Sequence, residues 1–209
     1  PAVRQKIAQV VDWSQIKYVI CQHQDPDIAG ALEQVCGDLQ ADNALLVTHW
    51  RVHTIVKHLD APLGQYMIEE HDWQLDLGGR LLRFVFTPYA HFPGAFCTYD
   101  EQTGVLFSSD IFGGFTEEFQ LFATDSSYFE QMKPFHEHYI PSREVLAYAM
   151  NEISRHDVRM IAPQHGSIIP QPLVQEMIER LRHLDCGLYM MPGYTTDVRE
   201  LSKLNEALR

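Results

Sequence analysis

Three histidines and three aspartates of this chain stand at one kind of place. His23, Asp25 and Asp27 follow a compact, β-branched run over 16–21, which reads as a buried strand. His91 follows the strand pattern of 81–87, Asp110 that of 105–108, and His165 that of 158–162. All lie just past the carboxyl end of a predicted strand, where layered α/β sheets place their ligands. Imidazole and carboxylate without thiolate favour iron, manganese or zinc over copper(I). The spacing His23-x-Asp25-x-Asp27 lets neighbouring side chains fan towards two points a few ångströms apart, which suits a dinuclear centre. Taken singly, Asp25-Pro26-Asp27 is also a good turn sequence, and a histidine after a strand is often only hydrogen-bonded structure. Residues of this type at the ends of four separate strands point to a shared metal site.

The elements that must position them follow from periodicity. A short amphipathic helix over 7–13 opens the chain. Two strand–loop–helix units come next, a strand over 16–21 with a helix over 31–36, and a strand over 44–48 with a helix over 50–59. Short strands then succeed one another over 66–68, 73–77, 81–87, 95–99 and 105–108. Glu101-Gln102-Thr103-Gly104 makes a hairpin of the last two. Helices are predicted over 128–133 and 142–155, with Ser142 as N-cap, before a strand over 158–162 and a helix over 173–184. This order predicts an α/β layered domain. After Met191 the composition changes, and leucines spaced by three and four over 198–209 suit either a tail folded on the domain or the start of a signalling helix. The division expected is a metal-binding domain over 1–191 and a helical tail or linker over 192–209.

Composition narrows the function classes. Lys+Arg 16 against Asp+Glu 28 gives a net charge of −12, which disfavours nucleic acid as a partner. No apolar run approaches the roughly 20 residues of a membrane span, and the amino end does not read as a signal peptide. The four cysteines include no C-x-x-C pair and read as reduced, buried thiols of a cytoplasmic protein. The chain begins at Pro1 without a methionine, so it is either processed or a piece of something longer.

The motifs also resemble a family. They are His23-Gln24-Asp25-Pro26-Asp27-Ile28-Ala29-Gly30, Thr87-Pro88-Tyr89-Ala90-His91-Phe92-Pro93-Gly94, Leu106-Phe107-Ser108-Ser109-Asp110-Ile111-Phe112-Gly113 and Ala162-Pro163-Gln164-His165-Gly166. In order and setting they look like the metallo-β-lactamase-like diiron domain of the flavodiiron proteins, over residues 7–185. Phe-Ser-x-Asp-x-Phe-Gly is the most specific element. The resemblance implies an αββα sandwich, with its usual opening strands missing or abbreviated. It implies that His23, Asp25 and His91 bind one iron, that Asp27 and His165 bind a second, and that Asp110 bridges them. Two positions depart from the pattern. Asp25 is usually glutamate, and Ile28 stands where the family supplies a further histidine, which leaves the second iron an open position or a weaker site. Flavodiiron enzymes carry a flavodoxin-like FMN domain after this one. Only residues 187–209 follow the last motif here, and no phosphate-cradling loop replaces that domain, so no FMN is expected in this chain.

A few flavin-free domains of this kind are described as oxygen-binding sensors, and the chain resembles those at least as well as the reductases. The expected function is therefore a non-heme diiron sensor that binds dioxygen or nitric oxide and relays the change through its terminal helix to a fused or associated output domain, an arrangement that suits a homodimer. Two enzymatic readings compete with it, a dioxygen or nitric oxide reductase domain fed by a separate flavoprotein, and a zinc hydrolase. The hydrolases usually show His-x-His-x-Asp-His, against which Asp25 and Ile28 count. A metal-free interaction domain is a third, disfavoured by the retained ligands.

Other residues are weighed beside these. Tyr89 could place its phenol over the open metal position, or be a core tyrosine. His136 and His138 read as exposed loop residues, though either could replace the histidine missing at Ile28. His49 and His53 share a helix face, and read as surface. Phe112, Phe115, Phe119 and Phe122 either wall the site or pack the core.

Overall fold

Alternation along the strands decides which layer each side chain enters in the computed structural model, which describes residues 2–39, 44–61, 63–116, 120–191 and 194. After α1 (Ala2–Ala8), strands β1 (Tyr18–Ile20), β2 (Leu45–Thr48) and β3 (Gly64–Met67) form a parallel sheet, with Val19 opposite Leu46 and Val47 opposite Tyr66. Val19 and Leu46 pack outwards with Leu32, Val52 and Val56 of the intervening helices α3 (Leu32–Asp38) and α4 (Trp50–Val56); a single turn, α2 (Pro26–Ala29), precedes them. Tyr18, Ile20, Val47 and Tyr66 face the other way.

There they meet a second sheet of β4 (Gln74–Asp76), β5 (Leu81–Phe86), β6 (Phe96–Asp100), β7 (Val105–Ser109), β8 (Met160–Pro163) and β9 (Ile169–Pro170), hydrogen-bonded in that order. Only β7 and β8 pair in parallel. Leu75, Leu82, Phe84 and Phe96 fill the space between the sheets with Val47 and Ile68. On the outer face, Val85, Cys97, Leu106 and Ile161 pack under α5 (Phe129–Tyr139), α6 (Arg143–Ile153) and α7 (Gln171–Arg182). The layers run helix, sheet, sheet, helix, the αββα sandwich implied by the resemblance.

Several elements differ from the periodicity. α1 covers 2–8 and buries no side chain, whereas 7–13 was expected to be helical. α5 continues through Pro134 to Tyr139, well past the expected end at 133. Proline removes a helical N–H, but burial of Met132, Phe135 and His136 on one face outweighs that loss. β9 spans only Ile169–Pro170, too short for a periodic signal. Ser142 does cap α6, accepting from the Val145 amide at 3.5 Å, and Gly104 closes the β6–β7 hairpin at φ 72°. All four cysteines are free; burial pushes the thiols of Cys21, Cys97 and Cys186 up to about 12. Among the described residues no helix is long and apolar enough to cross a membrane. The stretch 198–209 and the boundary proposed at 191/192 fall outside the described residues or at their edge.

Candidate metal centre

β1 delivers His23 to the seam between the sheets. The Cys21 amide still donates to Val47 O at 2.9 Å, and the Thr48 hydroxyl donates to Cys21 O at 2.8 Å, so the chain leaves the sheet on a fixed course. Gln22 then reaches across, its amide Nε2 donating to Phe96 O and Phe107 O of the second sheet at 3.1 and 2.7 Å. His23 is 1% exposed as a result. Asp25 occupies the N-cap position of α2 yet makes no side-chain cap bond, which leaves its carboxylate to the site. Asp27 lies in the first turn of that helix.

The other three arrive on tight turns. His91 follows β5 in a loop where the Tyr89 amide donates to Phe92 O at 2.7 Å, with Tyr89 at φ 62°. Asp110 follows β7, where a bulge shifts the β7–β8 register and Ser109 and Phe112 take φ of 55° and 68°. Such left-handed conformations cost a non-glycine residue energy and are held only by their surroundings. His165 follows β8, next to Gly166 at φ 82°, where a Cβ would stand 2.3 Å from Tyr128 Oη.

The six side chains converge. Asp110 Oδ2 lies 2.9 Å from both His23 Nε2 and His91 Nε2. Asp25 Oδ2 is 3.7 and 3.6 Å from the same two nitrogens. On the other side, Asp110 Oδ1 is 3.9 Å from His165 Nε2, which is 2.8 Å from Asp27 Oδ2. His23, His91 and Asp110 form one group of donor atoms within 4.8 Å of one another; Asp27, Asp110 and His165 form another, and His23, Asp25 and Asp27 link them. Asp110 is shared. In the first group His23 and Asp110 are buried and His91 is half-buried, while the side chains of Asp27 and His165 are each 47% exposed.

Burial pushes the Asp110 carboxyl up, but the imidazoles of His23 and His91 outweigh it and hold it far below the usual carboxylate range. Burial likewise lowers His23, and the carboxylates of Asp110, Asp25 and Asp27 raise it further than burial lowers it. Asp110 Oδ1 is buried without a hydrogen-bond partner among the described residues. A buried polar atom is rarely left so, and this oxygen, within a cluster of three imidazoles and three carboxylates, fits a divalent first-row cation as its missing partner.

Not every expected role has a place here. Tyr89 is 51% exposed, and its phenol makes no hydrogen bond among the described residues. His136, expected in an exposed loop, is fully buried on α5: its Nδ1 lies 2.8 Å from Met132 O and its Nε2 accepts the Phe112 amide at 3.0 Å. With both nitrogens used it replaces no ligand, and burial lowers it to about 4, so the ring is neutral. His138 is half-buried on the same helix, 3.4 Å from Tyr194 Oη. His49 is buried rather than at the surface; it caps α4 by accepting the Arg51 amide at 3.1 Å and stacks on Phe86. Ile28 packs half-buried with Leu32 and Leu46. Phe112 is fully buried core and Phe122 is exposed, while Phe119 lies outside the described residues. Unforeseen neighbours of the site are Ser109, whose Oγ is 3.2 Å from His23 Nδ1, and the rings of Phe135 and Tyr139, edge-on to His91 at 5.6 and 5.5 Å.

Comparison with known proteins bears on the family and the fold. The profile described as the ODP family beta-lactamase matches residues 1–166. The chain belongs to the ODP beta-lactamase family. Among solved structures this family member is similar to the apo state of the chemotaxis sensor ODP from T. denticola, with TM-score 0.76 and 22% identity over 96% of this chain and 80% of that one. It is similar also to a structure described as the peroxy diiron species of chemotaxis sensor ODP, with TM-score 0.75 and 24% identity over 88% of this chain and 78% of that one. These likenesses show the metallo-β-lactamase-like fold. The anaerobic nitric oxide reductase flavorubredoxin of Aeromonas hydrophila is 27% identical over 188 residues, 87% of this chain and 38% of that protein. The chain spans less than half the length of the first curated relatives that it matches.

Proposed function

We propose that this chain is a non-heme diiron domain that binds dioxygen and reports the change to a signalling partner. The observation that carries this reading is the Asp110 carboxylate, buried between two donor groups with one oxygen turned to each. A carboxylate so placed is suited to bridging two cations, and the mixed nitrogen and oxygen donors suit iron. Bound iron would supply open coordination positions and one-electron chemistry for a diatomic gas.

The chain's own residues divide the remaining work. His23, Asp25 and His91 would hold the inner ion, Asp27 and His165 the outer one, and Asp110 both. With Nε2 turned to the ion, His23 would carry its proton on Nδ1 and donate it to Ser109 Oγ, which fixes the ring. Phe135 and Tyr139 shield one side of His91, while the exposure of Asp27 and His165 leaves the outer position accessible to a small ligand.

Sensing is favoured over turnover by the similarity to the chemotaxis sensor, most of whose chain this one covers. It is supported too by α5, which touches His91 with Phe135 and Tyr139 and takes the Gly187 amide on Glu137 O at 3.0 Å. That helix offers a path from the centre to the carboxyl-terminal segment, and onwards to a fused or associated output domain. The 27% identity to a nitric oxide reductase keeps the reductase as the second reading.

The test is metal analysis and optical spectroscopy of anaerobically purified protein before and after exposure to air. About two irons per chain and a new oxygen-dependent band are expected, with little gas consumed when a reduced flavin donor is added. Stoichiometric zinc with a silent spectrum would remove the diiron reading, and rapid consumption of dioxygen or nitric oxide would replace sensor by reductase.

A further inference from the structure

We propose that His136 is a positioning residue of the metal centre, acting through the Phe112 amide to hold the Asp110 carboxylate between the two donor groups. The proposal rests on the diiron reading of the site.

His91 Nε2 pairs with Asp110 Oδ2 at 2.9 Å, while Oδ1 has no hydrogen-bond partner among the described residues, so the backbone that carries the carboxylate helps to set the side it turns to the second donor group. That backbone is a tight turn. The Gly113 amide donates to Asp110 O at 2.9 Å, the Ser108 hydroxyl donates to Ile111 O at 2.6 Å, and a Cβ at Gly113 would stand 2.8 Å from Asp110 O. Phe112 takes φ 68° within it, a conformation that phenylalanine does not favour when free. These ties close the turn on itself. The bond from the Phe112 amide to His136 Nε2, at 3.0 Å, anchors it to helix α5.

Imidazole suits this task because its nitrogens point in different directions. Donation from Nδ1 to Met132 O at 2.8 Å fixes the tautomer and presents Nε2 as an acceptor. Phe112 and His136 are both fully buried, so no water replaces the bond if it is lost. The preceding residue, Phe135, lies against His91, so one helix sets the loops bearing His91 and Asp110 relative to each other. Loss of the anchor would let the strained turn relax and swing Asp110 away from one donor group.

Cobalt(II) and zinc(II) titrations of the full chain, wild type against His136→Leu and His136→Gln, test this. Circular dichroism and melting of the metal-free proteins establish folding. Folded His136→Leu should bind cobalt about ten-fold more weakly, with altered ligand-field bands. His136→Gln, whose amide oxygen can accept the same N–H, should restore most of both. A folded His136→Leu with wild-type affinity and spectrum would overturn the proposal. If the leucine variant does not fold, the wild type decides: zinc binding should shift the Phe112 amide and His136 Nε2 resonances, and unmoved resonances would refute the role. Wild-type protein that binds neither metal would instead sink the reading of the site itself, and this proposal with it.

Discussion

A carboxylate that is 5% exposed and faces imidazoles with both oxygens cannot be shortened without separating what it joins. Asp110→Ala is therefore expected to lose the pairing of ions, with metal analysis finding about one per chain or fewer; retention of about two would refute the bridge. His136 gives a different prediction, made for the metal-free protein. Its ordinary value of 6.5 falls to about 4 in the fold because burial disfavours the charged ring. The unfolded chain thus takes up the proton first as pH falls. The stability from keeping the ring neutral is complete above pH 6.5 and declines towards pH 4, by about 3 kcal/mol in all. His136→Gln should lose that part of the pH dependence, measured by urea unfolding at about pH 7 and pH 4.5; parallel curves for the two proteins would count against it.

At the scale of elements, α5 joins packing to chemistry. Met132 is fully buried on it, and its carbonyl oxygen lies 2.8 Å from His136 Nδ1. Met132→Ala should destabilise the fold by about 2–5 kcal/mol and weaken metal binding as well, checked by denaturant unfolding and cobalt titration. The strands were legible because β-branched runs end in turn residues, and the six candidate ligands were legible as residues just past those ends. The two-residue spacing anticipated that Asp25 and Asp27 fan apart, and the resemblance placed Asp110 between two ions, but nothing local shows which imidazole each carboxylate oxygen meets. Contacts between distant segments were hidden for the same reason. Ser109 meets His23 across 86 positions and His136 meets Phe112 across 24, and neither pairing has a periodic signature. The helix beyond Pro134 was missed because tertiary burial overrode a local breaker, and His49 looked like surface because its acceptor role depends on the neighbouring turn.

For the whole molecule, candidate ligands drawn from both sheets mean that bound metal would tie the layers together. Loading with iron or zinc should raise the melting temperature, because only the folded chain assembles the donors; at a hundred-fold excess over Kd the gain is about 3 kcal/mol. Scanning calorimetry with and without metal reads this, and an unchanged melt would refute it. The same loading should slow hydrogen exchange at the Gly187 amide, which bonds to Glu137 of α5, if that helix carries the change to the carboxyl-terminal segment. The two candidate cation positions differ in one further respect. His23 lies beneath protein, whereas Asp27 and His165 stand half in water, so competing chelators would reach the outer ion long before the inner one. Brief stripping and refilling with another element should then yield an ordered heterobimetallic derivative, in which each half of the pair carries its own spectroscopic label.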